Sequence, residues 1–139
     1  MKRALRLAFV IGCSASCSDP SQPPAPRVCA PAPPAPACVP LYEPTFTNVF
    51  ERTLKPSCGL GGAACHTAKG RQGGLVFEDA DEAYRGLQAG QVAAGDPACS
   101  GIVVRLAAAD PNVRMPPGRA LAAGEQCAVA RWIADGAKR

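Results

Sequence analysis

His66 is the only histidine in the chain, and the thiol of Cys65 directly precedes it. A second thiol, Cys58, stands upstream across the six residues Gly59-Leu-Gly-Gly-Ala-Ala64. Much later, Met115 is the only methionine besides Met1 and sits in Arg114-Met115-Pro116-Pro117. These residue types suggest one chemistry. Thiols add across the vinyl groups of a porphyrin, and an imidazole beside them reaches its iron, so an upstream cysteine followed by Cys-His reads as an attachment site for c-type haem. A thioether is a soft, neutral donor that stabilises ferrous iron and raises the potential. Two prolines after Met115 stiffen the loop that presents its sulfur. Cys58 and Cys65 are the candidate attachment residues, His66 and Met115 the candidate iron ligands, and haem c the candidate cofactor.

Other uses of the same residues remain open at this level. The usual attachment signature has two residues between its cysteines, and this chain has six. Gly59, Gly61 and Gly62 would let the extra residues bulge out at little steric cost. Two thioethers, one thioether through Cys65, and no haem at all are the three outcomes. Without haem, Cys58 and Cys65 could form a structural disulfide, or join His66 with Cys99 or Cys127 around zinc. Cys99 and Cys127 are also a candidate disulfide, each expected in the first turns of a helix. No catalytic arrangement stands out, because the single histidine is committed if haem is present and the acidic cluster Asp79, Asp81 and Glu82 reads as a solvated first turn. The glycine-rich loop lacks the Lys-Ser/Thr ending of a phosphate cradle. The reading is a non-enzyme, with no small-molecule substrate indicated.

The elements that must position these residues come from a short chain. Of 139 residues, 15 are proline, and ten of the prolines lie between Pro20 and Pro44. Residues 1–17 read as a signal peptide of the lipoprotein type: Lys2, Arg3 and Arg6 precede a short apolar run, and Cys13 is the candidate lipidation site. An exported domain would sit in an oxidising compartment, the periplasm or cell envelope, where disulfides are permitted. Residues 18–44 read as a Pro/Ala-rich disordered linker of polyproline II character, with the pairing of Cys17, Cys29 and Cys38 open. The formal charge of +4 is scattered and partly terminal, which argues against nucleic acid.

Residues 45–139 hold the fold. Phe46, Val49, Phe50, Thr53 and Leu54 mark one face of a first helix that Pro56 should stop. Asp79 to Gln88 reads as a second helix. Asp96 is the expected N-cap of a third, with Pro97 at its first position and Ile102, Val103 and Leu106 inward. A fourth runs from about Gly124 to Asp135, burying Val129, Trp132 and Ile133, with Gly136 after it. The class is all-α, about four short helices joined by long loops. Loops such as 58–74 and 109–120 are uncommon in a compact domain unless something orders them, and a large apolar cofactor would do so.

With the aromatic first helix, Cys65-His66, the Met115-Pro116 loop and the closing helix ending Trp132-Ile133-Ala-Asp-Gly-Ala137, residues 45–139 resemble a small class I-type cytochrome c domain of the exported bacterial kind. The resemblance implies a fold wrapped around the haem, and electron transfer through His/Met-ligated iron. It implies redox proteins as partners and, for the lipoprotein version, a membrane tether. It also implies contact between the first and last helices, here Phe46 or Phe50 against Val129 and Trp132. Lys69 and Arg71, after the attachment site, are candidates for neutralising a propionate or docking a partner. The competing reading is a haem-free, disulfide-stapled exported module with a binding or structural role.

Overall fold

Thr45 is extended, and its hydroxyl accepts a hydrogen bond from the Asn48 amide at 3.3 Å, which opens α1 (Phe46–Val49). The computed structural model describes residues 27–31, 33–60 and 64–139. The signal peptide, Cys13, Cys17 and the start of the expected linker lie outside the described residues. Among the described residues there are four α-helices and no strand, as the all-α reading expects. From α1 the chain continues without a break into a π-helical segment, Phe50–Gly59. Phe46, Val49, Phe50, Thr53 and Leu54 are all buried, so the expected face is the core face. The expected stop at Pro56 is corrected. Proline lacks an amide donor and crowds the carbonyl four residues back, but the wider π register carries the chain past it. The Leu60 amide then bonds the Lys55 carbonyl at 2.8 Å. Gly59 closes the segment against Phe77, where a Cβ would lie 2.4 Å from the Phe77 carbonyl oxygen. Only glycine permits that approach.

Helix α2 (Ala80–Gln88) is capped by Asp79, whose carboxylate accepts from the Glu82 amide at 2.9 Å. Helix α3 (Gly101–Leu106) begins later than expected. Asp96 does cap, but it caps a turn: its carboxylate accepts from the Cys99 amide at 3.1 Å. The buried Ser100 hydroxyl holds that turn from within, accepting from the Ala93 amide at 2.9 Å and donating to the Asp96 carbonyl at 2.8 Å. Ile102, Val103 and Leu106 face the core. Helix α4 (Ala123–Ala134) ends at a left-handed Gly136, with the Ala137 amide on the Trp132 carbonyl at 2.9 Å. It packs on α1 through Phe46 and Trp132, ring centroids 5.6 Å apart, while Tyr84 of α2 meets Phe46 edge-on at 5.0 Å. Val129 is fully buried in the same core. These contacts match the helix pairing that the resemblance implies.

Two expectations about the N-terminal third are corrected. Cys99 and Cys127 do not pair with each other, and the pairing left open for Cys29 and Cys38 is settled across to them: the disulfides are Cys29–Cys99 and Cys38–Cys127. Over the described part of 27–44, the expected linker is a strap on the folded unit. An extended proline-rich chain has few bonds to make with itself, the Cys38 amide to the Ala35 carbonyl at 2.9 Å being one, and other polar groups of the strap bond across to the domain. The Ala30 amide donates to the Ala98 carbonyl at 2.7 Å, and Leu41 to Gly124 at 2.9 Å. The Arg131 guanidinium reaches the Pro36 carbonyl at 2.6 Å. Tyr42 is buried, hydrogen-bonded to the Thr53 hydroxyl and covered by Arg52 at 4.9 Å from its ring centre. The extended strap holds Cys29 and Cys38 apart, and the turn before α3 keeps Cys99 out of any helix.

The bridges span sequence separations of 70 and 89 residues. Loops of that size contribute about 4–5 kcal/mol each in the chain-entropy model, less together because they interleave. A Cys38→Ala, Cys127→Ala double variant should therefore unfold at a clearly lower urea midpoint, with about 2–5 kcal/mol lost. An unchanged midpoint would mean that the Cys38–Cys127 bridge contributes nothing to stability.

Candidate functional site

Two loops carry the candidate residues to one place. The first begins as a 3-10 turn, Ala64–His66, and is tied down where the Phe77 amide donates to the His66 carbonyl at 2.7 Å. The His66 ring lies against the Phe77 ring, centroids 5.1 Å apart, and its Nδ1 is buried without a hydrogen-bond partner. The second loop follows α3. Asp110 organises its start, accepting at its backbone carbonyl from the Arg114 amide at 3.0 Å and at its carboxylate from the Asn112 amide at 2.9 Å. The Met115 amide donates to the Arg105 carbonyl at 3.0 Å, and the Arg114 guanidinium donates to the Gly118 carbonyl at 2.8 Å. The Met115–Pro116 peptide is cis.

Cys58, Cys65, His66 and Met115 all line one small cavity of about 90 Å³, with Ser57, Pro116 and Pro117. Cys58, His66 and Met115 also line an adjoining cavity of about 230 Å³. Its walls are mainly apolar, from Leu54, Leu75, Phe77, Ile102 and Leu106, with Gln72, Gln91 and Arg105 as its polar part. The structure thus brings together all four candidate residues. A larger depression of about 430 Å³ lies elsewhere, between the strap, the end of α3 and the start of α4, and contains none of them.

The donor set fits a haem. A buried imidazole nitrogen without a partner is costly in an apolar setting, and a cofactor site is one explanation for such a group. The imidazole and thioether share an apolar cavity that would shield a macrocycle from water, and two thiols stand beside them. Neither Cys58 nor Cys65 forms a disulfide, so the structural-bridge alternative for this pair does not hold here. The zinc alternative loses Cys99 and Cys127 to the strap. Among the described residues, no group of three or more His, Cys, Asp or Glu side chains is placed to hold a metal ion.

Burial pushes the Cys58 thiol up from 9.0 to about 11, and the Glu125 carboxylate adds to the shift. The fold therefore favours the neutral thiol. Its contribution to stability is intact below about pH 9 and is lost as pH rises towards 11. Thiolate is the reactive form. In the haem-free chain at pH 8, iodoacetamide should label Cys58 about 100-fold more slowly than in denaturant, read by peptide mass. Equal rates would show that Cys58 is not shielded.

Arg71 is engaged elsewhere, in an ion pair with Glu82 at 2.6 Å, so it is not the cation of this cavity. Arg105 lines it, and nothing in the sequence singled it out. Phe77 was legible only as part of a short apolar insert; nothing in the sequence signalled that it would lie against the imidazole.

Residues 63–118 match the family described as Planctomycete cytochrome C. The matched segment contains Cys65, His66 and Met115 and leaves Cys58 outside. No curated protein and no solved structure matches the chain. Taken with the helical fold and the convergence of these residues, the match supports a cytochrome c-like domain in this chain.

Proposed function

We propose that the domain transfers electrons through a covalently held c-type haem with His66 and Met115 as axial ligands. The haem would supply a one-electron ferrous/ferric couple. The observation that carries this reading is that the sole imidazole and the sole internal thioether line the same cavity as two unpaired thiols. Cys65 and Cys58 would tether the macrocycle at its edge. His66, backed by Phe77, and Met115 would be the residues that hold its iron. Leu54, Leu75, Ile102 and Leu106 would keep water away and so keep reorganisation small. With His66 and Met115 both holding the iron, it would keep no open site for a substrate, which favours a carrier over an enzyme, working with redox proteins as donor and acceptor.

The same reading places the domain outside the cytoplasm, in the periplasm or cell envelope, tethered through a lipid on Cys13. Two disulfides support an oxidising compartment. They also favour a second reading, because they tie strap, α3 turn and α4 together without any cofactor: a haem-free stapled module with a binding or structural role.

The test is the full chain expressed in the periplasm of a host that attaches haem. A dithionite-reduced sample should show Soret and α bands, with the colour remaining on the polypeptide after acid-acetone extraction. A colourless product from a host that matures a control cytochrome in parallel would leave the second reading.

A further inference from the structure

We infer that Arg105 is a positioning residue for Met115, clamping the loop from α3 at two points. This rests on the reading of Met115 as an iron ligand.

Arg105 stands in the last turn of α3, and the chain does not become helical again until Ala123. A connection of that length gains order only from bonds to something rigid. Arg105 supplies two such bonds. Its carbonyl accepts from the Met115 amide at 3.0 Å, which fixes the backbone of the ligand residue itself. Its guanidinium donates to the Val113 carbonyl at 3.1 Å, two residues earlier. The short arc Val113-Arg114-Met115 is thus pinned at both ends to one helical residue. Beyond Met115 the loop closes on itself, from Arg114 to Gly118. Arg105 also lines the cavity of about 230 Å³ together with His66 and Met115. The first bond is backbone and survives any substitution. The second depends on the side chain alone, and a hydrogen bond from a charged donor is stronger than a neutral one.

Arg105 is exposed at the cavity rim, so its replacement should not disturb the core. The clamp predicts that Arg105→Leu retains its haem but holds sulfur on iron less well. The ferric near-infrared band that marks methionine ligation should weaken, and the alkaline pH at which it disappears should fall by about one unit, equivalent to about a tenfold loss in the ligated-to-unligated ratio. Arg105→Lys, which can still donate to the Val113 carbonyl, should recover most of the band.

A second readout needs no haem. In the haem-free full chain, hydrogen exchange across 108–118 should be about tenfold faster in Arg105→Leu than in the parent, with α2 and α4 unchanged. An unaltered band and unaltered exchange in Arg105→Leu would overturn the clamp. If the parent itself carries no haem, the proposed function fails, and the exchange measurement alone decides whether Arg105 holds the loop.

Discussion

Met115→Ala should keep its haem and lose its potential. With the thioether gone, water or a weaker donor takes the sixth position, and the ferrous state loses the soft ligand that favours it. Axial ligands tune haem potentials over a range of about 0.8 V, so a fall on the order of 100 mV or more is expected. The ferric near-infrared band should vanish with it, while covalent attachment, which the proposal gives to the thiols, should be unaffected. Titration of parent and variant side by side checks both effects. Identical potentials would remove Met115 from the iron and leave it as a packing residue of the 108–118 loop.

The second large effect separates the two thiols. Cys65 adjoins His66 within the same 3-10 turn, whereas Cys58 is the penultimate residue of the π-helical segment and lies outside the matched family segment. On the proposed reading Cys65→Ala should abolish covalent colour, because Cys65 is the thiol next to the proposed ligand His66 and the one inside the matched segment. Cys58→Ala should keep covalent haem through one thioether. A pyridine haemochrome reads the difference directly, since its α band shifts as each vinyl group is saturated. A parent band matching two thioethers, reduced to one in Cys58→Ala, would show that the six-residue spacing is bridged. Parent and Cys58→Ala bands that coincide would show that Cys58 never attaches. Loss of all colour in Cys58→Ala and retention in Cys65→Ala would reverse the assignment.

Much of this was legible beforehand, for identifiable reasons. The faces of α1 and α4 follow from apolar spacing that any helix must bury, and Asp79 and Gly136 are strong punctuation at element ends. His66 and Met115 could be paired because each is the sole internal residue of its type. What stayed hidden depends on contacts that carry no local pattern. The strap was unreadable as structure because polyproline has no internal hydrogen bonds and no periodicity, so its partners are decided entirely by the surface it meets. Disulfide connectivity is likewise a matter of where four thiols end up, and turn chemistry at Asp96 and Ser100 moved Cys99 off the helix it was expected to open. Pro56 argued for a stop because the α register was assumed; the π register removes that objection. Arg105 acts through the Val113 carbonyl, and no side-chain pattern announces a bond to a loop backbone.

The route of the covalent bridges has a mechanical side. Tension entering the chain just before Cys29 and leaving beyond Cys127 need not travel along residues 39 to 126. It can run through the few strap residues to Cys38 and cross directly to α4. Every group around the two small cavities lies off that path. A tether pulled by its anchor would load sulfur–sulfur and peptide bonds while Cys58, Cys65, His66 and Met115 stayed slack, much as a strain-relief collar protects the contacts of an electrical plug.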